Sequence, residues 1–301
     1  MAEITAALVK ELRERTGSGM MECKRALQET GGDIETAIDL MRKAGQAKAD
    51  KKASRVAAEG LIAIRQGTGA AAMVEVNCET DFVTKNDDFR SFVGAVADTA
   101  LTGAPLDFEA LLVSPMADGQ SVEQNRRDCI AKIGENINVR RFARLTSSKG
   151  VLGSYLHGTR IGVLVELDGG DADLAKDIAM HVAASRPLCV GEDQVPAELI
   201  AKEKAIYAAQ AEDEAKGKPA HAVEKIVGKI VDGKLRKFLE SVTLLGQAFV
   251  KDPDQTVGQL LAARRARAVR FERFELGEGI EKKSGNFAAE VMAQVRRDSD
   301  D

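Results

Sequence analysis

Asp81 and Phe82 are the first residues whose types and setting point to chemistry or recognition. They follow residues 74–79 (VEVNCE), which are typical of a buried strand, and a helix is predicted to begin near Asp87. The segment between strand and helix is a loop, where a large apolar ring is unusual because loops usually face water. The Phe82 ring is therefore either folded back into the core of this chain or offered to another molecule. The Asp81 carboxylate either caps the following helix or acts on that molecule.

Acid–base catalysis would need side chains such as Asp81 and His157, so an enzyme that uses these two is one alternative. The chain has only three histidines. His181 falls on the apolar side of a predicted helix, as structural histidines do, and His221 lies near a predicted turn in water. His157 precedes the turn at Gly158 and is either a plain surface residue or a partner contact. Phosphate-binding glycine loops and the Gly-x-Ser-x-Gly and His-Glu-x-x-His motifs are absent, so we predict no catalytic residue, cofactor or metal site.

The composition narrows the class of protein. A chain of 301 residues with 44% hydrophobic and 30% charged residues is typical of a globular protein of two or three compact units. Its net charge of −4 provides no basic field for nucleic acid. No apolar run approaches the ~20 residues of a membrane helix, and no secretory signal is present. Four cysteines without Cys-x-x-Cys spacing are expected to be reduced thiols: Cys23, Cys78, Cys129 and Cys189. We expect a cytoplasmic protein without membrane or direct nucleic-acid partners.

The N-terminal residues predict a small unit of three helices. The first helix carries apolar residues about four apart: Ile4, Leu8 and Leu12. The second runs from Met20 to Gln28, and the third begins at Asp33, a typical N-cap residue. Residues 48–54 are expected to form an exposed, Lys-rich helical tail or linker. So few residues bury only a small core, and this unit therefore suits binding better than chemistry.

An internal repeat organises the middle of the chain. Residues 67–77 align without gaps with residues 158–168, and each segment is the turn and second strand of a predicted hairpin that a helix follows. A further helix and strand return after each copy: residues 122–133 and 136–145, then 257–267 and 269–276. We predict a duplicated α+β unit with antiparallel sheets, and we expect both hairpins to lie in one sheet.

The two copies differ most after the second strand. Judged by the repeat, the first copy has roughly five more residues there than the second, and the surplus is the region 80–84. A loop that only one copy contains is not needed to close the fold. This favours the interpretation that Phe82 is offered to another molecule.

Segments outside the repeat complete the predicted α+β fold. Residues 195–240 are expected to form an inserted antiparallel hairpin of two helices, with coiled-coil character and a turn at 216–219. Residues 103–120 are expected to be a loop, and 287–295 a helix before a disordered tail at 296–301. The predicted domains are a three-helix unit at 1–54, a first half-core at 55–146, a second half-core with the hairpin at 147–285, and a C-terminal segment at 286–301.

A cluster of arginines supports a different class of function, RNA or ribosome binding. The cluster consists of Arg264, Arg265, Arg267, Arg270 and Arg273. It lacks the exposed aromatic residues that stack on bases, and it is interleaved with Glu272 and Glu275. A solvated and partly paired face is therefore the competing interpretation.

Seven stretches resemble the bacterial elongation factor Ts family, in order and over nearly the whole chain. They are residues 8–17 (LVKELRERTG), 19–21 (GMM), 75–83 (EVNCETDFV), 132–137 (KIGENI), 153–158 (GSYLHG), 181–185 (HVAAS) and 256–261 (TVGQLL). The sequence departs from the family in a longer loop at 103–120 and in an acidic tail after Arg297. Neither departure touches these stretches.

The resemblance implies a nucleotide exchange factor for the GTPase elongation factor Tu, and not an enzyme. It also implies that the three-helix unit is ubiquitin-associated-like and that the chain binds no cofactor or metal of its own. Family residues that match Asp81 and Phe82 enter the partner's nucleotide domain near its magnesium and phosphates, and the match to His157 lies on the partner-facing core. By the same resemblance, further partner contacts are expected from Thr80, Val83, Leu12, Met20 and Met21.

Overall fold

Ten α-helices and eight strands make up the part of the chain that the structure, a computed structural model, describes: residues 4–214 and 220–281. The predicted turn at 216–219 and the predicted helix and tail at 287–295 and 296–301 lie outside these residues. Within them, helices and antiparallel sheets are mixed along the chain, which agrees with the predicted α+β class.

Three helices form the N-terminal unit, as predicted: α1 (Ala6–Thr16), α2 (Met20–Glu29) and α3 (Ile34–Lys52). The Thr5 hydroxyl begins α1 by accepting the Leu8 N–H at 3.3 Å, and the Asp33 carboxylate begins α3 by accepting the Thr36 N–H at 2.6 Å. Gly17 ends α1 at a φ of +66°, which favours glycine. The helices enclose a small core of Val9, Leu12, Cys23, Ala26, Leu27 and Ala37. The likeness to ubiquitin-associated domains stays a prediction.

The first half-core is a three-stranded antiparallel sheet covered by helices. Its elements are β1 (Glu59–Gly67), β2 (Ala70–Cys78), α4 (Asp87–Thr102), α5 (Phe108–Val113), α6 (Val122–Ile133) and β3 (Ile137–Thr146), and the strand order is β1-β2-β3. Helix α5 corrects the loop predicted at 103–120. It forms because Asp107 caps it, accepting the Ala110 N–H at 2.8 Å, and because Leu111 is buried.

The end of α3 is helical as predicted, and Lys51, Ala53 and Ser54 are exposed, but the stretch 48–54 also packs on the first half-core through Ala49. Ala49 is buried in the core of the first half-core, and α3 continues to Lys52. Gly45 lies so close to α6 that a Cβ on it would come within 2.9 Å of the Ala131 Cβ. The small unit is therefore seated on the first half-core through small residues of α3 that allow a close approach.

The second half-core repeats this order with an insertion. Its elements are β4 (Val151–His157), β5 (Ile161–Asp168), α7 (Ala172–Ser185), α8 (Ala197–Glu214), α9 (Ala220–Val242), β6 (Ala248–Phe249), β7 (Asp252–Thr256), α10 (Val257–Ala263) and β8 (Arg267–Glu275). The strand order is β4-β5-β8, and β6 pairs with β7 separately. The helix predicted at 257–267 is shorter, because the chain enters β8 at Arg267.

Helices α8 and α9 are the inserted hairpin, within two residues of the bounds 195–240. The insertion rejoins the half-core where it left, since the Leu188 N–H donates to the Val242 carbonyl at 2.7 Å. A salt bridge crosses the hairpin, with the Lys234 ammonium 2.8 Å from the Glu214 carboxylate. Its coiled-coil character stays a prediction.

The two three-stranded sheets are separate and pack face to face, so the expectation that both hairpins share one sheet is wrong. Alternate residues of a strand point to opposite faces. Leu61 and Val74 face α4 and α6, whereas Ile62 and Met73 face the second sheet. Helix α7 covers the outer face of the second sheet. The result is four layers in the order helix, sheet, sheet, helix.

The repeat extends to the irregularities of strand pairing. The β2–β3 register shifts between Glu75 and Val76, and the β5–β8 register shifts between Glu166 and Leu167. These are aligned positions of the repeat. A shared bulge at aligned residues supports the predicted duplication, because bulges are features of a particular strand pair rather than of sheets in general.

Candidate protein-interaction site

Residues 79–86, the Phe82 loop, connect β2 to α4 in the first half-core. In the second half-core residues 169–171 suffice to connect β5 to α7. The difference is the five-residue surplus that the sequence predicted. The loop has regular structure of its own, because a short 3-10 helix runs over Val83–Lys85 and the Lys85 N–H donates to the Phe82 carbonyl at 3.1 Å.

The Phe82 ring faces water. The residue is 77% exposed, and its backbone is helical at φ −60° and ψ −39°. The alternative that the ring folds back into its own core is therefore wrong for this structure. Burying such a ring is worth about 1.5–3 kcal/mol, and this stabilisation is left for a partner that covers it.

Asp81 is exposed beside the ring and does not cap α4. Asn86 caps that helix, since its side-chain carbonyl accepts the N–H groups of Asp88 and Phe89 at 2.9 and 3.2 Å. The Asp81 backbone carbonyl accepts the Thr84 hydroxyl at 2.6 Å. Within residues 4–214 and 220–281, no group donates a hydrogen bond to the Asp81 carboxylate. Its charge is therefore available to a ligand.

Val83 anchors the loop from below. The residue is only 7% exposed, and it belongs to the same core cluster as Phe89 and Phe92 of α4. The expected partner contact of Val83 is corrected, because a side chain packed into its own core has no surface to offer. Neighbouring residues of the loop thus divide two roles: Val83 fixes the loop and Phe82 is presented.

Two carboxylates that the sequence did not single out hold the start of the loop. Glu135, in the turn between α6 and β3, accepts the Thr80 N–H at 3.0 Å and the Thr80 hydroxyl at 2.7 Å. Glu79 accepts the Asn136 N–H at 2.6 Å. The signal was present, since both segments belong to stretches that carry the family resemblance, but the sequence does not reveal that they meet.

Cys78, the last residue of β2, is an unreactive thiol at the base of the loop. Burial, with the negative charges of Glu135, Glu59 and Asp81, raises the pKa of this thiol to about 12. The thiol lies 3.1 Å from the Thr80 carbonyl, to which it donates. All four cysteines of the chain are free, as predicted.

His157 is exposed at the end of β4. The turn that follows it contacts the first half-core, because the Arg160 guanidinium pairs with the Glu59 carboxylate at 3.0 Å. Glu59 lies opposite Cys78 in the pairing of β1 with β2. The His157 turn therefore lies at the end of the first sheet from which the Phe82 loop leaves.

The N-terminal unit presents two methionines at the start of α2. Met20 and Met21 are 60% and 77% exposed. Flexible, polarisable methionine side chains adapt to a partner's surface. Leu12 is fully buried in the core of the same unit, so its expected partner contact is corrected to a supporting role from inside.

Comparison with known proteins gives a consistent result. The family model described as Elongation factor TS matches residues 79–278, which begin at the Phe82 loop. The Elongation factor Ts of Methylococcus capsulatus is 65% identical over 97% of this chain and 99% of its own length. Those of Thioalkalivibrio sulfidiphilus and Legionella pneumophila (strain Paris) are 60% and 56% identical, over 97% and 98% of this chain and 99% and 100% of theirs. The chain belongs to the elongation factor Ts family.

Elongation factor Ts is a nucleotide exchange factor of translation elongation and not a catalytic enzyme. No hydrogen bond or ion pair joins Asp81 to His157 in the described part of the chain. Among the same residues, no group of three or more His, Cys, Asp or Glu side chains is placed to hold a metal ion. No helix among them has the length and apolar character to span a membrane.

His181 has the structural role that the sequence predicted. Its Nδ1 accepts the Val250 N–H at 3.1 Å, and its Nε2 lies 3.0 Å from the Gln247 side-chain carbonyl, to which it donates. Burial lowers the pKa of the imidazole, although the bond to Gln247 opposes this. The ring is therefore neutral. The side chain of His221 lies outside the described part of the structure.

The arginine cluster of this chain is largely paired with carboxylates. Four of its five members have a partner: Arg264 with Asp171 at 3.6 Å, Arg267 with Asp168 at 3.5 Å, Arg270 with Glu166 at 2.8 Å, and Arg273 with Glu275 at 2.9 Å. Paired guanidinium groups have less charge available for phosphates. The interpretation of a solvated, partly paired face is favoured over an RNA site.

Proposed function

We propose that this chain binds GDP-bound elongation factor Tu and accelerates GDP release by inserting the Phe82 loop beside the magnesium ion and phosphates of the GTPase. The single observation that carries the proposal is the Phe82 ring, 77% exposed on a loop that is itself hydrogen-bonded. A ring held in water by a regular backbone has no role in the core of this chain. The partner is the one that family membership implies.

Exchange of this kind needs binding energy and no bond chemistry. If the exchange factor lowers the affinity of the GTPase for nucleotide by a given factor, thermodynamic linkage requires that nucleotide lowers the affinity of the GTPase for the exchange factor by the same factor. If the ring is buried only in the nucleotide-free complex, it contributes about 1.5–3 kcal/mol, a tenfold to hundredfold shift. The Asp81 carboxylate adds a negative charge that competes with the phosphates for the magnesium ion.

Contacts between the GTPase and surfaces away from the Phe82 loop supply the rest of the binding energy. We assign this partner binding to three surfaces: Met20 and Met21 on the small unit, His157 on the second half-core, and the α8–α9 hairpin. Because they lie on separate elements, they hold the GTPase in both its GDP-bound and nucleotide-free forms. The Phe82 loop can then act on the nucleotide without carrying the affinity of the whole complex.

The decisive experiment follows release of a fluorescent GDP from elongation factor Tu. Phe82→Ala should reduce the acceleration about tenfold to hundredfold, because it removes the ring's burial, while the variant still forms the nucleotide-free complex. Leu106→Ala is the matched control, since Leu106 is an apolar residue 97% exposed on the same half-core. A Phe82→Ala variant with the wild-type rate would remove the ring from the mechanism.

A further inference from the structure

The turn of residues 134–136 exchanges hydrogen bonds with the start of the Phe82 loop in both directions. Glu135 reaches from the turn to the backbone and hydroxyl of Thr80, at 3.0 and 2.7 Å. Glu79 reaches back from the loop to the Asn136 N–H at 2.6 Å. We refer to Glu79, Thr80, Glu135 and Asn136 as the carboxylate clamp. Hydrogen bonds to an ionised acceptor are among the stronger ones in proteins, so the clamp restrains the loop two residues before the ring.

The same turn is bonded to the segment that leads from the N-terminal unit. The Asn136 side-chain amide donates to the Arg55 carbonyl at 2.7 Å, and the Lys52 ammonium donates to the Gly134 carbonyl. The Arg55 guanidinium also lies 3.4 Å from the Glu79 carboxylate. The segment at the end of α3 and the start of the Phe82 loop are therefore both hydrogen-bonded to the same turn, residues 134–136.

We propose that Glu135 is a positioning residue for nucleotide exchange, which holds the Phe82 loop in its presenting conformation before the partner binds. The inference rests on the proposed role of Phe82. A loop that is already ordered loses less conformational entropy on insertion, so more of the ring's burial is available to weaken nucleotide binding. Through Asn136 the clamp also joins the loop to the small unit, which contacts another surface of the same partner.

The geometry of the second half-core indicates that the fold does not require the carboxylate clamp. There β5 is joined to α7 through residues 169–171, and Asp171 caps α7 directly by accepting the Leu174 N–H at 2.8 Å. The same strand–helix connection thus closes without an extended loop. The clamp occurs in the half-core that carries an exposed ring, and this association points to presentation of the ring rather than to closure of the sheet.

A fluorescent reporter tests the clamp without any partner. The chain contains no tryptophan, so Phe82→Trp introduces a single indole probe at the ring position. In the full-length chain, time-resolved anisotropy should show this indole turning mainly with the whole molecule. Adding Glu135→Ala should introduce a large nanosecond component, as a released loop does, whereas adding Glu135→Gln should restore the slow decay. Identical decays with and without Glu135→Ala would overturn the proposal.

Exchange kinetics test the consequence for function. Glu135→Ala should lower the maximal rate of GDP release about tenfold, the equivalent of one net hydrogen bond, with little change in the concentration of chain that gives half-maximal rate. Thr80→Val should act in the same direction, while Glu135→Gln and Thr80→Ser should retain most of the rate. Glu109→Ala, at an exposed glutamate of the same half-core, is the control.

The outcomes separate the clamp from the function on which it rests. If Phe82→Ala slows exchange as expected but Glu135→Ala and Thr80→Val do not reduce it, the clamp proposal is wrong and the proposed function stands. If the wild-type chain does not accelerate GDP release, the proposed function is wrong, and the anisotropy of the introduced indole still decides whether the clamp orders the loop. Thermal unfolding identifies a variant that has lost its fold. In that case Thr80→Val, which removes only a hydroxyl contact, decides between the two outcomes.

Discussion

At the scale of single residues, the informative positions are apolar side chains that are exposed to water and titratable side chains that are buried. Phe82, Met20 and Met21 are large apolar side chains in water, each within one residue of the start of a helical segment that fixes the backbone. Exposure of this kind is unfavourable for the free chain and favourable for a complex. His181 is the opposite case, a titratable ring sealed in the second half-core and satisfied on both nitrogens.

His181 makes the stability of the chain depend on pH. Its folded pKa lies below the ordinary value of 6.5, so the unfolded chain binds a proton more readily than the folded chain. The contribution of the neutral ring is therefore complete above pH 6.5 and is lost as the pH falls below it. We expect the free energy of unfolding to fall more between about pH 7.5 and 5.5 in the wild type than in His181→Gln. Urea unfolding at several pH values measures both slopes, and equal slopes would contradict the assignment.

At the scale of elements, local signals explain most of the secondary structure, and the N-cap of α5 is one of them. Asp107 precedes α5 as a typical N-cap, and it lies between Pro105 and Phe108 in a segment otherwise rich in loop residues. The α8–α9 hairpin was predicted because its helical period and turn are local. Its side-chain bonds are also local, as Lys234 contacts Glu214 and Gln210 across the hairpin.

The hairpin should be removable without loss of the core. Replacing residues 197–241 with a short Gly/Ser linker keeps the hydrogen bonds between the flanking segments, since residues 188–190 pair with residues 242–245. We expect cooperative thermal unfolding with a melting temperature only about 2–4 °C lower, the equivalent of about 1 kcal/mol in a domain of this size. Affinity for elongation factor Tu should fall if the hairpin is one of the partner-binding surfaces that we propose. Failure of the shortened chain to fold would show that the hairpin is part of the core.

At the scale of the whole molecule, the two half-cores hold each other through matched pairs of charges. Glu75 on β2 binds Arg141 on β3 at 2.6 Å, and Arg141 also donates to the Glu275 carbonyl of the second sheet at 3.0 Å. The equivalent Glu166 on β5 binds Arg270 on β8 at 2.8 Å, and Arg270 donates to the Thr146 carbonyl of the first sheet at 3.1 Å. Each sheet thus contributes one glutamate–arginine pair whose arginine reaches across the interface. We call Glu75–Arg141 the first latch and Glu166–Arg270 the second latch.

The two latches are not equal, and mutations should separate them. Burial opposes ionisation of Glu75, but hydrogen bonds from Gly277, Arg140 and Arg141 outweigh it, so the pKa of this carboxyl lies below its ordinary value of 4.5. Its stabilisation is therefore present above pH 4.5 and lost as the pH falls below it. We expect Glu75→Gln to cost about 3 kcal/mol at neutral pH, because two guanidinium groups lose a buried partner.

Glu166→Gln is the matched control, because Glu166 occupies the aligned position and pairs with one arginine that is 47% exposed. It should cost roughly 1 kcal/mol. Urea unfolding of both variants at neutral pH gives the comparison. A larger loss in Glu166→Gln than in Glu75→Gln would reject the view that the first latch dominates the sheet–sheet interface.

The sequence by itself predicted most of the helices and strands, the duplication, the hairpin and the surplus loop that carries Phe82, because the signal for each lies in neighbouring residues, in a period or in an aligned repeat. The same reasoning misassigned Leu12 and Val83, since a pattern that marks an apolar residue does not say which way its side chain points. Only the tertiary structure decided that the two hairpins lie in separate, facing sheets, that Phe82 is exposed while Val83 is buried, and that Glu135 holds Thr80. The physical reason is distance along the chain: the Glu135–Thr80 contact joins residues 55 positions apart, and no local preference specifies which distant partner completes a hydrogen bond.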